Sequence, residues 1–154
     1  MKRNDARRIA VCLAYSCDLT QNDTESVLNQ FFSDEHYSSL QEENEIFSVY
    51  PDSDQMKYIS QVLTVLTEHL YEIDELISRF SETRKVERIS KTALAVLRCA
   101  ISEMLFIDDI PESVSINEAV NISKEFDSPD TVSFINGVLG SISRNIHDAE
   151  PAAE

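Results

Sequence analysis

Glycine is nearly absent from this sequence: its 154 residues include two, Gly137 and Gly140. No glycine-rich loop can be built, which excludes the P-loop and dinucleotide-binding classes of nucleotide-dependent enzyme. Tryptophan is missing, and cysteine is scarce. Cys12, Cys17 and Cys99 form an odd set without CxxC spacing, so a buried helical thiol is the plainest reading of each. The histidines (His36, His69, His147) have no second ligand at helical spacing. Neither a metal site nor a cofactor is expected. Long hydrophobic runs are lacking too: the most apolar stretch, 92–107, is too short to span a bilayer and is interrupted by Arg98 and Glu103. Met1 is followed by basic and polar residues without the apolar segment of a secretory signal, so a cytoplasmic protein is expected.

Helix signals fill the space those absences leave. With 42% hydrophobic and 27% charged residues, the chain should fold as one domain. Ala6, Ala10, Leu13, Ala14 and Cys17 make an apolar stripe from about residue 4 to 18. Asp23–Thr24 can cap a short helix carrying Val27, Leu28, Phe31 and Phe32. Residues 33–53, acidic and serine-rich, read mostly as loop, with room for a helical turn. Asp52 with Gln55 offers a capping-box start for a long helix in which Ile59, Leu63, Leu66, Leu70, Ile73, Ile77 and Phe80 alternate four and three apart. Segment 92–107 is apolar nearly all round, as suits a helix at the centre of a bundle. After Pro111, Ser115 and Glu118 suggest a capping box for a helix bearing Ile116, Ala119, Val120 and Phe126. Ser128–Pro129 opens the last helix, with Ile135, Leu139, Ile142 and Ile146 inward.

No stretch shows sustained period-two alternation, so the expected fold is all-α: a bundle of about six to seven helices in two subbundles. A single domain over 1–148 is expected, with subbundles about 1–80 and 84–146 and a flexible tail at 149–154. Gly137 and Gly140 would each cost about 1 kcal/mol relative to alanine inside a helix. A close helix–helix approach, with the first helix as one candidate neighbour, would account for them.

Charge is lopsided. The net charge is -15, which ordinarily argues against nucleic acid. Yet residues 1–8 carry a local +3 from Lys2, Arg3, Arg7 and Arg8 against Asp5, and residues 79–91 carry another +3. Screening acts over about 8 Å at physiological salt, so a concentrated patch can attract phosphate despite distant acids. On a helix Arg3 and Arg7 are one turn apart, and Arg8 is two turns before Tyr15. Arginine forks onto phosphate, and tyrosine stacks on an unpaired base. A solvated helix start explains the first cluster about equally well. For 79–91 the plainer reading, bases favouring a helix C-terminus, is the stronger one.

Four strings carry a resemblance. Arg3 to Ser16 (RNDARRIAVCLAYS), Leu97 to Leu105 (LRCAISEML), Asp108 to Phe126 (DDIPESVSINEAVNISKEF) and Ser133 to Ile142 (SFINGVLGSI) resemble the NusB family in content, order and spacing. Residues 18–80 match only in helical character. The resemblance implies two three-helix subbundles and a non-enzymatic factor that binds boxA-type RNA with the small-subunit ribosomal protein NusE. It further implies that this complex joins elongating RNA polymerase, suppresses termination and supports ribosomal RNA synthesis. The RNA contacts it implies are Arg3, Arg7, Tyr15 and Phe134, with Asp130 and Asn136 beside them; the charge pattern adds Lys2 and Arg8. The chain departs from the family pattern in two places: Asn4 and Asp5 interrupt the basic run, and Ala93 stands where relatives often have an acid. A protein-interaction adaptor with weak or lost RNA binding is the alternative. A detached counterpart of the NusB-like domain of ribosomal RNA cytosine methyltransferases is a third reading. Monomer and homodimer both remain open.

Overall fold

The computed structural model describes residues 2–16, 24–81 and 86–149, with side chains placed as far as Ile146. Eight α-helices make up the described residues, together with two short 3-10 turns at Glu45–Ser48 and Val86–Arg88, and no strand occurs among them. The helices are α1 (Arg3–Ser16), α2 (Thr24–Phe31), α3 (Asp34–Leu40), α4 (Ser53–Glu68), α5 (Leu70–Phe80), α6 (Lys91–Phe106), α7 (Glu112–Ser123) and α8 (Pro129–Ala149). The all-α bundle is thus as the sequence predicts. The proposed cap at Asp23, the end of the first stripe at Cys17, and residues 150–154 of the expected tail lie outside the described residues.

Helix α6 is the hub. Ser90 caps it, its hydroxyl accepting from the Ala93 N–H at 3.2 Å, and it packs against α1, α4, α5, α7 and α8. Its buried residues lie all around the cylinder, from Ala93, Ala95, Val96 and Leu97 to Cys99, Ala100, Ile101 and Met104, because every side has a neighbour to exclude water. Around it Ile9, Leu13, Ile59, Leu63, Leu66, Ile73, Ile77, Ile135, Leu139 and Ile142 are fully buried. All but Ile9 belong to the stripes predicted for α1, α4, α5 and α8.

Four local expectations are corrected. The long helix after Asp52 is broken at His69, whose backbone (φ -116°, ψ 21°) leaves helical geometry. The His69 ring lies flat on Phe106 of α6, centroids 4.1 Å apart. The heptad pattern runs across the break because Ile73 and Ile77 still point inward. Segment 33–53 is also more ordered than a loop. Ser33 caps α3, Asn44 caps the following turn, and Phe32, Tyr37, Phe47 and Tyr50 pack edge-to-face.

The third correction concerns α7, which begins directly after Pro111. Ser115 is therefore an interior residue, buried and with no hydrogen bond to its hydroxyl, and not a cap. Lastly, Gly137 and Gly140 do not admit a neighbouring helix. A Cβ at Gly137 would meet nothing within 4 Å, and one at Gly140 would meet only the Arg144 guanidinium at 3.3 Å.

Candidate nucleic-acid interface

The two arginines that the helical repeat puts one turn apart have different surroundings. Arg7 is buried, with 7% of its surface exposed. Its Nε donates to both carboxylate oxygens of Glu103 at 3.0 Å, and its Nη2 donates to Oε1 at 2.5 Å. The Tyr58 hydroxyl donates to Glu103 Oε2 at 2.9 Å. Three helices, α1, α4 and α6, are tied together at one buried carboxylate. A buried charge is tolerated only when paired and hydrogen-bonded, and both conditions hold. Burial acts against the Arg7 charge, but the Glu103 hydrogen bonds and negative charge outweigh it and hold the guanidinium pKa above its ordinary value. Burial, and after it the Glu103 charge, pushes the Tyr58 hydroxyl pKa up. Arg7 is thus not available to a phosphate. The sequence pattern places it among the RNA contacts; the structure gives it to the core.

Arg3 remains at the surface. Its guanidinium lies over the Tyr58 ring, 4.3 Å from the centroid, and its Nε donates to Gln55 Oε1 at 2.8 Å. It makes no ion pair among the described residues, and Lys2 beside it is exposed. Arg8 is on a third course: it pairs with Glu125 at 2.8 Å and with Asp5 at 3.3 Å, so its charge is largely answered within the protein. Of the basic charge of the first eight residues, the +2 of Lys2 and Arg3 is therefore what stays without an ion pair among the described residues. In the second basic cluster, Arg79 pairs with Glu75 at 3.3 Å, Arg88 and Lys91 are exposed, and Arg84 and Lys85 lie outside the described residues.

Tyr15 is 52% exposed and lines an apolar groove of about 370 Å³ together with Phe31, Phe47 and Phe126. Phe126 is 48% exposed. The sequence reading gives it to the buried face of α7, but that helix stops at Ser123 and leaves Phe126 in the turn beyond. Phe134 is half-buried on α8, beside the core, and Asp130 and Asn136 are exposed on the same helix. Helix α8 packs on α5, α6 and α7, whereas α1 packs on α4 and α6. Arg3 and Tyr15 thus share one helix, with Lys2 just before its start, and Asp130, Phe134 and Asn136 share another, with α6 packed against both.

Among the described residues, no group of three His, Cys, Asp or Glu side chains could hold a metal, and no helix is long and apolar enough to cross a membrane. Residues 4–144 match the NusB family, from the first turn of α1 to most of α8. The chain belongs to the NusB family. The transcription antitermination protein NusB of Natranaerobius thermophilus is 38% identical over 125 residues, covering 80% of this chain and 90% of that protein. The solved structure of T. maritima NusB superposes with a TM-score of 0.75 at 26% identity, covering 94% of this chain and 92% of that one. A further neighbour, from a crystal structure of antitermination factors NusB and NusE in complex with dsRNA, has a TM-score of 0.72 at 20% identity. It covers 93% of this chain and 96% of that one, a likeness of fold. The NusB match takes in the Arg7–Glu103–Tyr58 network and Tyr15, and begins just after Lys2 and Arg3.

Proposed function

We propose that this NusB-family chain is a cytoplasmic, non-enzymatic RNA-binding antitermination factor. It binds boxA-type single-stranded RNA with a NusE-type ribosomal protein, joins elongating RNA polymerase and supports ribosomal RNA transcription. The observation that carries the reading is the start of α1, where Lys2 and Arg3 offer cations without a carboxylate partner among the described residues, on a chain of net charge -15. In this reading Lys2 and Arg3 hold phosphates, Tyr15 and Phe134 stack on bases, and Asp130 and Asn136 make polar contacts beside Phe134. Arg8 adds a charge shared with Glu125, and Arg7 acts from within by fixing α1 on α4 and α6. The acidic remainder of the surface suits a basic protein partner.

A boxA-like RNA is titrated at several salt concentrations, with and without the NusE-type protein. The two phosphate contacts at Lys2 and Arg3 contribute about -1.4 to the log-log slope on a single strand, and removing both residues takes that contribution away. A wild-type slope of zero contradicts the reading. The answered charges of Arg7 and Arg8 favour one second reading, an adaptor of the same fold that has lost RNA. Recovery of the ribosomal protein without RNA dependence, and no RNA binding in any condition, selects that adaptor.

A further inference from the structure

Beside Arg3 there is a polar depression of about 250 Å³ that none of the contacts described so far explains. Its walls are Arg3 from α1, Asp54, Gln55, Lys57, Tyr58 and Gln61 from α4, and Ile107 at the end of α6. Positions 54, 57 and 61 are three and four apart, so they share one face of the helix. Lys57 and Gln61 are exposed, and Lys57, like Arg3, makes no ion pair among the described residues.

We propose that this depression is a phosphate cradle that carries the RNA backbone from α1 onto α4. The inference rests on the RNA-binding reading and extends it to residues outside the family's motif strings. Arg3 is set in place before any ligand arrives: the Tyr58 ring holds its plane and Gln55 occupies its Nε. Its two terminal nitrogens remain as a fork of donors, the arrangement that matches phosphate oxygens. Lys57 adds a mobile ammonium, and the Gln61 amide adds a neutral donor. Asp54 is the one carboxylate in the wall, so the local balance is +1 before a phosphate binds and near zero after it. The pieces are a stacked arginine and helix-face side chains, without a glycine loop. They suit a phosphodiester passing over the surface better than an enclosed nucleotide. Tyr58, on whose ring Arg3 lies, is itself buried.

The test uses the full chain and two fluorescent single-stranded RNAs, one boxA-like and one scrambled, titrated at several salt concentrations with the NusE-type protein present. Lys57→Ala should weaken both RNAs several-fold and to the same degree, and reduce the salt slope by about 0.7. Lys57→Arg should keep the wild-type slope, and Asp54→Asn should tighten binding. Arg3→Ala serves as the reference for the arm. If Arg3→Ala weakens binding while Lys57→Ala leaves affinity and slope unchanged, the cradle is overturned and the RNA-binding reading stands. If the wild-type chain binds neither RNA, both fall together. Because Lys57 is exposed, its variants should fold as the wild type does, which circular dichroism checks.

Discussion

Arg3 and Arg7 stand one turn apart on α1 and share Tyr58 as a neighbour, at 4.3 and 6.0 Å from its ring centroid. Arg7 has been taken out of water and matched to Glu103, whereas Arg3 rests on the outside of the ring with terminal donors to spare. The inner region is a buried polar network joining three helices; the outer region is a rim of cations on an acidic protein. A sequence count gives both arginines the same charge. What separates them is whether a carboxylate from another helix reaches the guanidinium, and for Arg7 that carboxylate lies 96 positions away.

The largest expected effect breaks the inner region. Arg7→Ala leaves Glu103 buried without its cation and should destabilise the fold by about 3–5 kcal/mol, read as a shift of the urea midpoint. Replacing the network as a unit, with Arg7→Met, Tyr58→Phe and Glu103→Leu together, should recover most of that loss, since apolar groups of similar volume replace buried ion pairs at little cost. A triple variant no more stable than Arg7→Ala would show that the uncompensated Glu103 charge is not what destabilises Arg7→Ala.

Next in size is alkaline sensitivity. Burial and the Glu103 charge push Tyr58 up, and burial with the neighbouring Tyr50 pushes Tyr37 up to about 12. Above the ordinary tyrosine value of about 10, the unfolded chain releases these protons while the folded chain keeps them. Stability is fully present below that pH and is lost as pH rises through it. The thermal midpoint should therefore decline steadily between about pH 10 and 12, and less steeply in Tyr37→Phe. A midpoint unchanged over that interval contradicts the burial of both hydroxyls.

Smaller effects sharpen the contrast at the surface. Gly137→Ala should stabilise the protein by up to about 1 kcal/mol, because its Cβ enters open space. A loss measured by urea unfolding would show that α8 packs more closely there. Asp74→Asn removes one partner of the bidentate pair with Arg98, at 2.8 and 2.9 Å, and should cost about 1 kcal/mol or less, since both groups keep some solvent.

Much of the fold was legible because its signals are local. The Asp52 and Ser128 caps and the four-and-three spacing on α4, α5 and α8 are each readable within a few residues. The break at His69 was not, because it depends on a ring stacked against Phe106 of α6. Order in 33–53 was hidden in the same way: its aromatics meet one another only after the chain has turned, with the Tyr37 hydroxyl donating to the Val49 carbonyl at 2.9 Å. In the candidate interface, Lys2, Arg3 and Tyr15 could be picked out from charge and residue type. The exposure of Phe126 is not legible, because it depends on α7 stopping three residues before it, and Lys57 lies in a strongly acidic stretch with nothing nearby in sequence to link it to Arg3. The burial of Arg7 and the answered charge of Arg8 are tertiary facts.

The central claim is that Arg3 meets RNA while Arg7 holds the helix that carries it. The direct measurement is the salt dependence of boxA-like RNA binding for Arg3→Ala and for the Arg7→Met/Tyr58→Phe/Glu103→Leu variant, side by side with wild type. Arg3→Ala should lower the slope by about 0.7, and the folded triple variant should keep the wild-type slope. A slope unchanged by Arg3→Ala and lowered by the triple variant would contradict the account.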